Sequence, residues 1–207
     1  SVMIMPGVSH QVELTLERAS GTTERVRVPC PLRRLTIPTP GALDTDRDAR
    51  LIEGDIAYFR PGDFSPPDDG AWKEAAPEQR GGILAGSYRE LEETFARLSG
   101  ARALILDLRG NPGGTDLLGQ AMVRHLVAPD YVYYRLSSRF ESGWSEPFLS
   151  ESTEPLPEHA FLGPLVCLID SRTFSVADNV AAYLRDVHPD VTFIGENTGA
   201  GSGAPRA

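Results

Sequence analysis

Hydrophobic and polar positions change period along this chain. From Gln11 to Leu16 they alternate, with Val12, Leu14 and Leu16 on one side and Glu13 and Thr15 on the other. Ala19–Thr22 reads as a turn, and Val26 and Val28 resume the alternation. Period two on both sides of a turn predicts a β-hairpin, which by itself is too small to bury a core. The proline-rich stretch Pro29–Pro40 then reads as a linker. Residues 1–40 are therefore expected to stand apart from residues 41–207.

The second unit alternates short apolar runs with helical periodicity. Ile56–Phe59 reads as a strand, and Pro61–Gly82, rich in Pro, Gly and Asp, as a long surface loop. Ser87 with Glu90 fits a capping box, Leu91, Phe95 and Leu98 keep helical spacing, and Gly100 fits a helix stop. Ala103–Leu108 is predicted as a strand, Leu117–Leu126 as a helix, Leu165–Ile169 as a strand, Val176–Val187 as a helix and Val191–Ile194 as a strand. Tyr131–Leu136 and Phe140–Leu149 read as extended and aromatic, a hairpin or lid. Uniformly apolar strands alternating with helices predict an α/β fold with a mainly parallel sheet covered on both faces.

Composition adds exclusions. A content of 41% hydrophobic and 24% charged residues fits an ordinary globular protein. A net charge of −9 argues against a nucleic-acid partner. No apolar run approaches the ~18 residues of a membrane span. Ser1–Met5 has neither a basic start nor a long apolar stretch, so no signal peptide is read in this chain. Cys30 and Cys167 lie far apart without metal-ligand spacing, and Cys167 is expected to pack as a small hydrophobe. No cofactor or metal is expected. The glycine-rich end, Thr198–Ala207, leads to the expectation that the protein continues beyond it.

The chemistry concentrates at two strand ends. Leu104–Gly114 runs from an apolar strand into Pro112-Gly113-Gly114, where bare backbone allows close approach. Pro164–Asn179 runs from an apolar strand through Thr173-Phe174-Ser175 into a helix, which sets a hydroxyl at the helix mouth. A hydroxyl at one turn and exposed backbone at another are the parts of acyl transfer, a nucleophile and an oxyanion cradle. The free N–H groups and positive dipole end of the helix would favour charge on Ser175. A simple capping role for Ser175 is the competing reading.

Three motifs in this order resemble the S41 peptidases: C-terminal processing (tail-specific) proteases, the tricorn core protease and interphotoreceptor retinoid-binding protein. They are Asp107-Leu108-Arg109-Gly110-Asn111-Pro112-Gly113-Gly114, Thr173-Phe174-Ser175-Val176-Ala177-Asp178 and Gly195-Glu196-Asn197-Thr198-Gly199. The resemblance covers about Ile52–Gly203. It implies a ClpP/crotonase-like core of stacked β-β-α units. It implies Ser175 as nucleophile, with an oxyanion hole from the backbone N–H groups of Val176 and of Gly113 or Gly114. The hairpin is similar to the closing strands of the PDZ domain that many members carry. The family also favours an extracytoplasmic location.

The general base is where the pattern departs. The Ser–Lys branch carries Lys where this chain has Gly201, and the sole lysine, Lys73, falls in the Pro/Asp-rich loop and reads as a solvated charge. The tricorn-like branch uses Ser, His and Glu, but His10, His125, His159 and His188 carry no family motif. Glu196 reads as structural, as do Asp107 and Arg109, an ion pair anchoring a turn. Asp178 stands where the family usually has Glu. Trp144, Phe140 and Tyr131–Tyr134 either line a peptide groove or pack a hairpin onto the core. The base and its orienting acid are expected outside this chain. The leading expectation is a serine endopeptidase acting on polypeptides, of the Ser/His/Glu rather than the Ser/Lys type, inactive as this segment. The alternatives are a catalytically dead domain binding a peptide or hydrophobic ligand, and an esterase.

Overall fold

Five strands form the sheet on which the second unit is built. In the computed structural model, which describes residues 11–17, 23–29, 47–52, 55–128, 131–140, 143–152 and 156–201, two compact units appear, Ser1–Ala42 and Leu43–Ala207. The first contains a hairpin, β1 (Gln11–Glu17) antiparallel to β2 (Thr23–Pro29), in a register that opposes Gln11 to Pro29 and Glu17 to Thr23. His10 and Cys30 lie outside the described residues.

The sheet of the second unit uses β3 (Asp48–Ile52), β4 (Ile56–Arg60), β5 (Ala103–Asp107), β10 (Leu165–Ile169) and β11 (Val191–Gly195). Their spatial order is β11-β10-β5-β4-β3. All neighbours are parallel except the edge pair β3–β4. Strand β3, with Leu51 and Ile52 exposed, is not anticipated from the sequence pattern, because its apolar residues do not alternate into a core.

Within Pro61–Gly82 the structure replaces much of the expected loop with short helices, and the helix expected after it forms. These are α1 (Asp69–Glu74), a 3₁₀ turn at Pro77–Gln79, α2 (Arg80–Ile83) and α3 (Ala85–Leu98). Asp68 caps α1 by accepting from the Ala71 N–H at 2.9 Å, so the acidic residues read as loop formers act as a helix start. Ser87 is not a cap. Helix α3 begins at Ala85 directly after α2, with Leu84 as the joint. Helix α4 (Asp116–Arg124) is capped by Thr115, and α5 (Val176–Val187) follows Ser175.

Helices α3, α4 and α5 cover one face of the sheet. Their apolar stripes, Phe95 and Leu98, Met122 and Val123, Val180 and Leu184, meet Phe59, Leu104, Leu106, Leu165 and Cys167 in one buried cluster. The expected cover on both faces is not what forms among the described residues. Ile105, Val166 and Leu168, pointing the other way, are half-buried, whereas Leu104, Leu106, Leu165 and Cys167 are buried. Burial lifts the Cys167 thiol, with the Asp107 charge adding to it, to about 12, so it packs as an inert hydrophobe.

The aromatic segment forms β6 (Tyr131–Leu136) antiparallel to β9 (Phe148–Ser152), with a small hairpin of β7 (Arg139–Phe140) and β8 (Gly143–Trp144). Tyr133 is buried and lies against Tyr183 of α5, ring centroids 5.2 Å apart. Phe140, Trp144 and Phe148 stay exposed.

Candidate active site

Each of the two central strands ends in the sequence Asp-x-Arg, and each aspartate ties its own turn. At the end of β5, Asp107 accepts from the Arg109 N–H at 3.0 Å and from its guanidinium at 2.9 and 2.8 Å. Tyr58 Oη at 2.7 Å and Arg60 Nη2 at 3.0 Å also donate to Asp107. Burial by itself would raise the Asp107 pKa, but the donors from Arg109, Tyr58 and Arg60 outweigh it and hold the carboxyl far below the usual range. At the end of β10, Asp170 accepts from the Arg172 N–H at 3.0 Å and from its guanidinium at 3.1 and 2.9 Å. The Asp170 pKa is lowered too, burial again being overcome, first by the N–H of Gly110 and then by Arg172.

Asp170 also joins the two turns, because its Oδ1 takes the Gly110 N–H at 3.0 Å. Two further bonds run the same way: Thr173 Oγ1 donates to the Leu108 carbonyl at 2.9 Å, and the Phe174 N–H to the Asn111 carbonyl at 3.0 Å. The repeated Asp-x-Arg was visible in the sequence as the signal for this clamp, but its cross-linking role was not.

The clamp brings Gly113 against Ser175. A Cβ at Gly113 would sit 2.8 Å from the Phe174 carbonyl oxygen, the Ser175 Cβ and the Val176 nitrogen, and φ there is +95°. Only glycine lets the two turns approach this closely. Ser175 is half-buried, with φ 54° and ψ −122°, a conformation that glycine takes readily and other residues adopt under strain. No side-chain cap bond is made by Ser175 at the start of α5. Its hydroxyl is therefore not used as the simple helix cap.

The candidate oxyanion donors divide. The Gly113 N–H donates to Asn111 Oδ1 at 2.8 Å, in a short loop closed by the asparagine. The N–H groups of Gly114 and Val176 make no hydrogen bond among the described residues. Of the two glycines named from the sequence, Gly114 thus carries the free donor, and Gly113 supplies the close approach.

Two flanking segments hold these turns. From one side, Phe64 forms a strap: its N–H donates to the Gly113 carbonyl and its carbonyl accepts from Thr115, both at 2.8 Å. From the other, Thr198–Gly201 runs beside the serine turn, with the Ser175 N–H on the Ala200 carbonyl at 2.9 Å and the Gly199 N–H on the Thr173 carbonyl at 2.9 Å. Thr198 Oγ1 donates to Asp178 at 2.6 Å, which ties the third motif to α5 despite the shorter carboxylate. Gly201 has φ +91°, a conformation that residues with a side chain rarely adopt, and a Cβ there would meet the exposed Phe174 ring. Glu196 sits exposed at the end of β11, its N–H bonded to Ile169.

None of the described histidines stands at the serine end. His188 follows the last residue of α5, and a helix of 12 residues rising ~1.5 Å each puts it about 18 Å from Ser175. His125 follows the last residue of α4, at the end away from Gly114. It is buried and stacked on Phe95 at 4.4 Å. Burial, reinforced by Arg124, lowers its pKa to about 4. His159 lies two residues before Phe161, whose N–H donates to the His125 carbonyl at 2.6 Å, so it shares the far end. Lys73 is exposed on α1 and ion-paired with Asp69. No group of three or more His, Cys, Asp or Glu able to hold a metal occurs among the described residues.

Comparison with known proteins bears on this arrangement. The model of peptidase family S41 matches residues 55–206; the match begins after the N-terminal hairpin. A carboxyl-terminal-processing protease of Synechocystis sp. is 30% identical over 186 residues, covering 90% of this chain and 37% of that protein. Mature CPAF superimposes with a TM-score of 0.57 at 16% identity, over 92% of this chain and 54% of that one. A Parabacteroides merdae structure gives 0.56 at 20% identity, over 77% and 48%. The chain therefore spans well under two thirds of the length of these relatives, and at such identities the two structures speak for the fold alone.

Proposed function

The chain belongs to peptidase family S41, and from that premise we propose that it carries the nucleophile and oxyanion half of a serine peptidase acting on polypeptides. The observation that carries this reading is the strained, half-exposed Ser175 set against Gly113, with the N–H groups of Gly114 and Val176 left free beside it among the described residues. Ser175 Oγ attacks the peptide carbonyl as its proton passes to a general base. The carbonyl oxygen, now negative, takes the N–H groups of Val176 and Gly114. Collapse breaks the C–N bond, the amine leaves with the proton, and water repeats the sequence on the acyl-enzyme to release the acid. A preorganised donor pair in this role is worth about 10²–10³ in rate per donor.

The base is proposed to lie outside this chain and to be a histidine oriented by a glutamate. Three observations support this: the far placement of His125, His159 and His188, the solvated Lys73–Asp69 pair, and a glycine at position 201, which cannot titrate. On this reading the chain alone cleaves little, and the protein extended into its flanking sequence cleaves with a rate that rises through about pH 6–7. The carboxyl-terminal-processing relative supports a polypeptide C-terminus as the substrate region, and the family resemblance an extracytoplasmic setting. Among the described residues no helix is long and apolar enough to cross a membrane.

The test is fluorophosphonate labelling with mapping of the modified residue, in the chain and in the extended protein. Labelling is expected at Ser175 in the extended protein, and Ser175→Ala is expected to remove it together with cleavage, a loss of at least ~10³-fold. A second reading, a domain that binds peptide without cutting it, is favoured by the distance of His125 and His188 from the serine end. It wins if the extended protein binds unfolded polypeptide yet neither labels nor cleaves.

A further inference from the structure

A cleft of about 780 Å³ leads away from Gly114, lined by Ser65, Asp69, Trp72, Lys73, Arg80 and Leu117 besides that glycine. Gly114, whose N–H is proposed for the oxyanion, is one of its lining residues, and the short helices α1 and α2 wall it. Its charged groups differ in how they are satisfied. Lys73 and Asp69 neutralise each other one helical turn apart, both largely exposed. Asp116, in the first turn of α4, receives the Asn179 amide at 3.5 Å.

Arg80 stands differently. Its guanidinium lies over the Trp72 ring, Cζ 5.0 Å from the centroid. Its Nε is buried without an acceptor, and no carboxylate pairs with it among the described residues. Stacking fixes the plane of the guanidinium. Arg80 is half-buried and lines the cleft, and with Nε shut away the two Nη groups are those left to take a carboxylate through two parallel bonds. In a chain of net charge −9, a cation not neutralised from within is a local exception that an acidic ligand would find.

Resting on the reading of Ser175 as nucleophile, we infer that this cleft seats the polypeptide substrate beside the scissile bond and that Arg80 binds one of its carboxylates. That carboxylate is either the C-terminus or an acidic side chain. Arg80 is thus a specificity-determining residue, not part of the chemical step.

The experiment uses Ser175→Ala, which cannot cut, and a fluorescent Gly/Ser/Ala peptide in three forms: free C-terminus, amidated C-terminus, and amidated with one internal Glu. In this background Arg80→Gln is expected to weaken the carboxylate-bearing form about tenfold and leave the neutral amide unchanged. Whichever of the two acids shows the loss identifies the source of the carboxylate. Arg80→Lys, which keeps charge but not the fork, is expected to lose about threefold and carries the test should Arg80→Gln not fold. With Trp144→Phe, Trp72 is the remaining tryptophan of these 207 residues, the chain used for this measurement. Its emission should shift with the acidic peptide and not in Arg80→Gln. Equal effects on acid and amide, no effect, no Trp72 shift, or no binding of any form overturns the inference. Fluorophosphonate labelling of the extended protein tests Ser175 separately. Absence of labelling in the unsubstituted protein would sink the nucleophile reading while the binding result stands.

Discussion

At the end of β5, Asp107 gathers the N–H and guanidinium of Arg109; at the end of β10, Asp170 gathers those of Arg172. From that shared start the turns diverge. The first continues through glycines at φ +95° and +145° and offers bare backbone; the second continues to a serine at φ 54° and offers a side chain. The first aspartate is fully buried and bound to its own strand layer through Tyr58 and Arg60. The second is partly exposed and reaches across to Gly110. One turn is anchored to the core and the other is anchored to the first. The proposed nucleophile and the proposed oxyanion cradle, from different strands, thereby share one frame, which is what preorganisation requires.

The contrast can be broken most severely at its narrowest point. Gly113→Ala forces a Cβ into the Phe174 carbonyl, Ser175 and Val176, and the turns must separate. Fluorophosphonate labelling of the extended protein is expected to slow by about 10²–10³-fold. Gly82→Ala, where an added Cβ meets nothing within 4 Å, is the control and should label at the normal rate.

The two aspartates should separate stability from activity. Asp107→Ala removes a buried carboxylate that takes bonds from Arg109, Tyr58 and Arg60 and is expected to cost about 2–3 kcal/mol in urea unfolding. Asp170→Ala, with a partly exposed carboxylate, should cost less than half of that and yet slow labelling at Ser175 more than Asp107→Ala does at a temperature where both are folded. Equal stability losses would mean that the turns are not anchored in the order described.

A slower contrast lies between the turn end of α4 and its far end. His125 titrates near 6.5 when unfolded and about 4 when folded, because burial opposes its charge. Below 6.5 the unfolded chain takes up a proton that the folded one refuses, so stability falls as pH drops from 6.5 toward 4 and is insensitive to this group above that window. The loss should approach about 3 kcal/mol and be absent in His125→Phe. His188, also lowered by burial, adds in the same direction. The smallest expected effect is a gain. Ser175→Gly relieves a strain of ~1–3 kcal/mol at the cost of ~0.5–1 kcal/mol of chain entropy, so this variant should be more stable by about 1 kcal/mol.

Local composition was enough to place Ser175 and the Gly113–Gly114 backbone at turns after two apolar strands, because turn glycines and apolar runs act through their own residues and near neighbours. It also marked Asp107 with Arg109, two residues apart on one strand end. It misread Pro61–Gly82 as loop, since the Asp and Gly residues that favour turns also start short helices, and only packing decides between them. It could not reveal that Asp170 holds Gly110, that Phe64 straps Gly113, or that Arg80 stands over Trp72 with its Nε lacking an acceptor. Each of these joins residues whose meeting is fixed by strand order, register and helix packing rather than by local preference. The chemistry of the groups was written in the sequence; which of them meet, and which donors stay free, was decided by the parallel sheet that sets both turns at one edge.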